Sequence, residues 1–252
     1  MNILDMDAGN TRVKWRLSQD GRPVSSGALF NDSDARLVDA LADSLGTARV
    51  DVCRLSSVRK ECIVHSLVEA LADRLGVMPQ LPEPCASLGG LVVEGVEPVR
   101  LGCDRWLAML GAVQLYPKRD VLIVDAGTAM TLDCVNSRGV FVGGLICPGL
   151  YMLRQSLRRS LDRVTLSPQA DLGQPALARQ STSSAENGIL CMALALVERE
   201  FSRLGSNAVL VLCGGDAPFL KKHLQSSARL HPDLVFQGLG IANPVCASEC
   251  TS

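Results

Sequence analysis

Aromatic residues make up only 4% of this 252-residue chain, and its formal net charge is −1. The first shortage leaves no platform on which successive bases could stack. The second, with acids and bases mixed along the chain, leaves no charged face for a nucleic acid or a membrane. Long apolar runs are also missing. The longest, Ile189 to Val197, is far below the roughly 20 residues that span a bilayer. No signal peptide precedes the first expected strand, so a reducing, cytoplasmic setting is expected. Cysteine, by contrast, is plentiful: ten residues lie scattered along the chain, most of them inside apolar stretches. Cys246 and Cys250, the closest pair, lack His or Cys neighbours at zinc spacing. The cysteines are therefore read as small buried hydrophobes rather than as a disulfide framework.

What the chain does have is a glycine turn near its start. Ile3, Leu4 and Met6 suit a buried strand, followed by Asp7-Ala8-Gly9-Asn10-Thr11 and then Lys14. Glycine lets the backbone turn sharply, and the N–H groups after it form a concavity suited to phosphate oxygens. Asp7 is placed to hold a metal ion through water, Thr11 adds a hydroxyl, and Lys14 a point charge. Alone, such a turn is what any hairpin prefers.

A second copy changes the reading. Leu122-Ile123-Val124-Asp125-Ala126-Gly127-Thr128 repeats the first strand and turn 118 residues on, and at the same offset Thr131 matches Val13 and Val135 matches Leu17. Two acid-bearing glycine turns predict two related lobes facing one cleft. Lobes of roughly 115–130 residues fit usual domain size, with a division at 1–117 and 118–252.

Strands are expected at 12–18 and 23–30 across an Asp20-Gly21 hairpin, and at 50–58. Helices are expected from a Ser33-Asp34 cap to Gly46, over 60–75 to Gly76, and from Asp104 to Tyr116. Between them 79–100, with three prolines and Gly89-Gly90, reads as irregular. The second half opens with strands at 121–125, 128–135 and 139–146. Ser183 and Glu186 predict a capping box for a helix reaching Leu204. A strand at 209–213 then leads through Gly214-Gly215-Asp216 into a shorter helix, and the last six residues read as a tail. The alternation is α/β.

Four groups carry candidate chemistry. The two turns are the first and second; beyond the latter, Ala129, Thr131 and Asp133 share one strand face. Gly143-Gly144 with Pro148-Gly149 is the third, a glycine-rich approach to a helix start where an anion would be welcome. The fourth is Gly102-Cys103-Asp104-Arg105-Trp106. Asp at a helix start is most often a cap. It also offers a base for a hydroxyl proton, and Arg a bidentate fork for a carboxylate.

Together the groups resemble the type III pantothenate kinases of the actin/Hsp70/sugar-kinase superfamily. The matching residues are Asp7-x-Gly9-Asn10-Thr11-x-x-Lys14, Gly102-x-Asp104-Arg105 and Asp125-x-Gly127-Thr128-Ala129-x-Thr131-x-Asp133, then Gly143-Gly144-x-Ile146-x-Pro148-Gly149 and Thr182-x-x-Ala185-x-x-Gly188. The resemblance implies two duplicated ribonuclease-H-like lobes with a nucleotide cleft between them, and ATP-dependent phosphorylation of pantothenate, the first step of coenzyme A synthesis. It implies that Asp7, Ala8, Gly9, Asn10, Thr11, Arg12, Val13, Lys14 and Thr128 bind ATP, and that Gly102, Cys103, Asp104, Arg105 and Thr182 bind pantothenate. Asp104 is then the proton acceptor, and Asp125 helps hold a monovalent cation, K+ or NH4+. A divalent metal such as Mg2+ and a homodimer are further implications. Gly214-Gly215-Asp216 falls where the superfamily places its adenosine loop.

One departure is visible. The family's substrate tyrosine, about nine residues before the catalytic acid, is replaced by Gly95 or Val96, and the chain's tyrosines are Tyr116 and Tyr151. A non-catalytic nucleotide-binding relative, or a kinase of another small anionic hydroxy compound, is the alternative reading.

Overall fold

The central strand of the first sheet, β1 (Asn2–Ala8), is buried on both faces, for two different reasons. Leu4, Met6 and Ala8 point into an apolar core, whereas Asp5 on the opposite face is also fully buried. The computed structural model that gives this picture describes residues 1–31, 33–160 and 173–245. β1 pairs antiparallel with β2 (Arg12–Gln19) and parallel with β4 (Val52–Ser57), while β3 (Arg22–Phe30) lies outside β2. The sheet order is β3-β2-β1-β4. The Asp20-Gly21 turn adopts positive φ at both residues, 49° and 78°, the conformation that matches the twist of a two-residue hairpin.

Helices α1 (Asp34–Leu45) and α2 (Glu61–Leu75) cover the apolar face through Leu37, Leu41, Leu67 and Leu71. α2 ends at Gly76 in the left-handed region, as its sequence predicts. Ser33 precedes α1, but its side chain makes no capping hydrogen bond. Residues 79–100 are less irregular than expected: Gly89-Gly90 turns a minimal hairpin of β5 (Ser87–Leu88) and β6 (Leu91–Val92), and 98–100 form a 3-10 turn.

After α3 (Cys103–Leu115), the second sheet repeats the first topology. β7 (Val121–Ala126) is central, antiparallel to β8 (Ala129–Val135) and parallel to β10 (Val209–Cys213). β9 (Phe141–Pro148) and β11 (Ala228–Leu230) complete the order β11-β10-β7-β8-β9. Helices α4 (Leu150–Ser160), α5 (Ser181–Ser202) and α6 (Ala217–His223) belong to this half, and Leu150, Ile189, Leu190 and Leu220 enter its core.

The chain divides into compact units that differ from a cut at 117/118. One comprises Met1–Gly111 and the chain from Leu234 on; the other is Ala112–Asp233. The return has a physical cause in α7 (Leu234–Ala242), whose Leu234, Val235, Phe236 and Leu239 are buried. A Cβ on Gly238 would meet the Leu107 carbonyl oxygen at 2.0 Å, and one on Gly111 the Leu234 oxygen at 2.7 Å. Only glycines allow α3 and α7 to approach this closely. Asp5 completes the joint. It accepts from Arg54 Nε at 2.6 Å and Arg16 Nη2 at 2.9 Å, and Arg54 also donates to the Asn243 carbonyl at 3.1 Å.

Two further expectations need correction. The long helix begins at Ser181 with Gln180 before it, so Ser183 lies inside the helix and no capping box forms. Glu186 instead pairs with Arg154 of α4 at 3.1 Å. Gly143 and Gly144 lie within β9 beside a register irregularity, and Pro148-Gly149 lead directly into the start of α4, as the glycine-rich approach to a helix start predicts. Of the eight described cysteines, all free thiols, only Cys53 and Cys213 are buried, and Cys62 and Cys191 are exposed. Cys246, Cys250 and the tail lie outside the described residues.

Candidate functional site

The first turn is a hairpin whose register places its chemistry. Asp7 on β1 and Lys14 on β2 are directly paired, so the acid and the base are cross-strand neighbours on one face. Gly9, Asn10, Thr11 and Arg12 lie between the last paired residues, Ala8 and Val13, and Gly9 N–H donates to the Arg12 carbonyl at 3.1 Å. Asn31, at the end of β3, holds the turn: its Nδ2 donates to the carbonyls of Gly9 and Asn10 at 3.3 and 3.1 Å, and its backbone N–H donates to the Thr11 carbonyl. With its carbonyls engaged by Asn31, the turn leaves amide hydrogens as its polar offering to an anion. Sequence reading missed Asn31, because nothing local marks a side chain that acts 21 residues away.

The same compact unit contains the start of α3. The Gly102 carbonyl accepts the first helical bond, from Trp106 N–H, so Gly102 takes the cap position and Asp104 stands inside the first turn. Asp104 Oδ1 accepts the Arg105 N–H at 2.7 Å. Burial pushes the Asp104 carboxyl up, while the Arg105 N–H and guanidinium pull it back down. Cys103 lies close enough to Asp104 and to Asp7 to feel both charges. Burial is the main cause that pushes its thiol up to about 11, which makes it a neutral packing group rather than a nucleophile. Cys103 at the start of α3 thus lies near both Asp104 and the Asp7 end of β1. At the place of the expected tyrosine, Gly95 has φ of 75°, a conformation a side-chain-bearing residue rarely adopts, and Val96 is half exposed.

In the second unit, Asp125 is the penultimate residue of β7, paired with Thr131 on β8 and Cys213 on β10. Here the turn is one residue shorter: Gly127, Thr128 and Ala129 separate Ala126 from its partner Met130. Met130 therefore corresponds to Val13, and the fixed-offset matches of Thr131 with Val13 and Val135 with Leu17 fail beyond the turn. A one-residue shift moves every side chain to the other face. Asp133 is 2% exposed.

Two glycine segments distant in sequence wrap this turn. Gly149 N–H donates to the Thr128 carbonyl at 3.0 Å, and a Cβ on Gly149 would meet the Gly127 oxygen at 2.2 Å. On the other side a Cβ on Gly214 would meet Asp125 Oδ1 at 2.4 Å, and Asp216 N–H donates to the Ala126 carbonyl at 2.9 Å. Thr128 itself is exposed, and Thr182 lies half-buried in the first turn of α5.

The donor sets can be tested against a metal. No cluster of three or more His, Cys, Asp or Glu suited to a metal occurs among the described residues. A lone carboxylate at each turn fits a cation that takes most of its ligands from phosphate oxygens and water, as Mg2+ does with nucleotides.

Two units, each with a central strand ending in an acid-bearing glycine turn, define the fold class of the actin-like ATPases and sugar kinases. Solved structures agree. A conserved Baf family protein from Campylobacter jejuni superposes with a TM-score of 0.61 at 19% identity, covering 94% of both chains. MreB 5 of Spiroplasma citri, solved with AMPPNP, gives 0.52 at 12% identity over 95% of both chains. Sequence narrows the class. The profile of the type III pantothenate kinases matches residues 3–203. A type III pantothenate kinase of Pseudomonas syringae pv. syringae is 37% identical over 96% of this chain and 99% of its own, and one of Pseudomonas aeruginosa is 36% identical over the same shares. The chain belongs to the type III pantothenate kinase family.

Proposed function

We propose that this chain transfers the γ-phosphoryl group of ATP to the hydroxyl of pantothenate, giving 4′-phosphopantothenate for coenzyme A synthesis. Family membership supports the reaction, together with ATP and a divalent metal as its requirements. The observation that carries the mechanism is the nearness of both Asp104 and Asp7 to Cys103 within one compact unit.

The amides of residues 10–12 and the Lys14 ammonium receive the ATP phosphates, and Thr128 is assigned to ATP binding as well. Asp7 holds the divalent metal, which when bound neutralises phosphate charge. The hydroxyl oxygen attacks the γ-phosphorus as the bond to the β-phosphate oxygen breaks and ADP leaves. The hydroxyl proton passes to Asp104, whose burial raises its basicity. Arg105 grips the pantothenate carboxylate with its fork, with Gly102, Cys103 and Thr182 as further contacts. Asp125 supports a monovalent cation, K+ or NH4+.

A homodimer is supported by the second unit's outer surface. There β9 is an edge strand with Val142 64% and Ile146 64% exposed, and α4 exposes Tyr151 at 60%. An apolar edge strand of this kind calls for a partner. No helix among the described residues is long and apolar enough to cross a membrane.

The deciding experiment is ATP-dependent phosphorylation assayed against pantothenate and a panel of other small hydroxy acids. Pantothenate is expected to give the highest kcat/KM. Turnover of another acid but not pantothenate would reject the assigned substrate, and ATP binding without any transfer would favour a non-catalytic relative.

A further inference from the structure

An open pocket of about 630 Å³ lies beside the first turn in the same compact unit, lined by Asn10, Asn31, Ser33, Asp34, Arg59 and Lys60 among others. Asn10 apart, the kinase mechanism assigns none of these residues to a ligand.

The pocket's most unusual component is Arg59. Its side chain is only 4% exposed, yet among the described residues its one charged neighbour is Asp34, with Nη1 at 3.6 Å from Oδ1. Its Nε and Nη2 are buried and have no hydrogen-bond partner. A guanidinium out of water with unmet donors is costly, and such groups are normally paired. Nε and Nη2 form one edge of the guanidinium fork, the edge that takes two oxygens of a single anion. Arg59 itself lines the pocket.

The surroundings point the same way. Helices α1, of 12 residues, and α2, of 15, both begin at this pocket, at Ser33-Asp34 and at Lys60. Neither has a side-chain cap on its first amides. Two helix N-termini therefore present partial positive charge to one space. Lys60 adds a full charge at the rim, and among the described residues Asp34 is the one carboxylate lining the pocket.

We propose that this pocket is a binding site for a phosphoryl group of phosphate or pyrophosphate class, gripped by the Nε–Nη2 edge of Arg59, the Lys60 ammonium and the first amides of α1 and α2. The group comes either from the tail of a nucleotide seated on the adjacent turn or from a separate phosphorylated compound. Because Asn10 belongs to both the turn and the pocket, the occupant touches the turn directly. The site itself stands on Arg59 and the helix ends; only its effect on turnover rests on the kinase reading.

The test uses the full chain without substrate. Pyrophosphate, and separately inorganic phosphate, is titrated by calorimetry at constant ionic strength against wild type, Arg59→Gln, Lys60→Glu and Lys14→Ala. Wild type is expected to bind pyrophosphate saturably. Arg59→Gln should weaken binding about ten- to a hundredfold, the range for losing a charge-assisted pair. Lys60→Glu, an exposed change that leaves the core untouched, should weaken it at least about threefold, a lower bound set by surface-pair energies. Lys14→Ala should retain it. A further titration with a saturating non-hydrolysable ATP analogue separates the sources: competition assigns the group to the nucleotide, and undiminished binding assigns it to a second ligand. No saturable binding by wild type, or unchanged affinity in either Arg59→Gln or Lys60→Glu, overturns the proposal. Loss of binding in Lys14→Ala alone would place the anion on the turn and overturn it as well. None of these readouts depends on turnover, so failure of the site and failure of the kinase reading remain distinct.

Discussion

A Cβ at position 102 would stand 2.8 Å from Asp104 Oδ1, closer than real Cβ contacts allow. The carboxylate is folded back over the residue that opens its own helix, and glycine is what gives it room. Gly102→Ala is therefore expected to leave the core intact while rotating Asp104 off the Arg105 N–H. Misplacing a catalytic group by about 1 Å costs on the order of 10²-fold. Turnover should fall by at least about tenfold, with Tm and ATP affinity nearly unchanged. Wild-type turnover in a folded Gly102→Ala protein would show that the position of this carboxylate is immaterial.

Asp104→Asn separates a base from a helix-end carboxylate. Either side chain accepts the Arg105 N–H, but an amide cannot take the hydroxyl proton, so turnover should drop by at least about 10²-fold. The stability effect has a defined sign. Burial raises the carboxyl in the folded state, so its protonated form favours folding. That contribution is complete below the unfolded pKa and is lost as pH rises through the folded one. Asn resembles the protonated acid. The Tm difference between Asp104→Asn and wild type should be near zero in acid and positive at neutral pH. A mutant less stable than wild type at neutral pH would contradict the burial argument; a fully active one would remove the base role.

Arg105→Lys tests the acceptor grip. Lysine keeps the charge but loses the bidentate geometry. Apparent pantothenate affinity should fall about ten- to a hundredfold, since charge-assisted hydrogen bonds are worth roughly 1.5–3 kcal/mol. ATP affinity should change little. Equal weakening of both ligands would make Arg105 a structural residue.

The monovalent cation is checked by salt replacement at constant ionic strength. Activity should rise when sodium is replaced by potassium or ammonium, because a cation at the second turn offsets phosphate charge. Asp125→Asn should abolish the difference. Equal rates in all three salts would remove this role from Asp125.

Much of the fold was legible because it is written locally. The apolar run of β1, the Asp20-Gly21 hairpin and the glycine ending α2 all depend on neighbouring residues, and each stands where the chain predicts it. The duplication was legible as well, since two strands ending Asp-Ala-Gly are recognisable without a structure. Its register was not. The second turn lost a residue, and a fixed offset cannot see a deletion inside a hairpin. The capping box at Ser183 failed for a related reason: Glu186 had a better partner in Arg154, 32 residues away, which no local rule weighs.

The sequence by itself therefore determined the two turns, their acids, and the Gly102–Arg105 segment, because backbone conformation and side-chain type at a turn are short-range properties. Only the tertiary structure decided how those pieces are held. It brought Asn31 onto the carbonyls of the first turn, and Gly149 and Gly214 onto the second. It also returned α7 to the first unit through the glycine contacts at 111 and 238 and the Asp5–Arg54 pair. The physical reason is common to all of these contacts. Each joins groups far apart in the chain, and its energy exists only once β1, β4 and the helices have packed and excluded water between them.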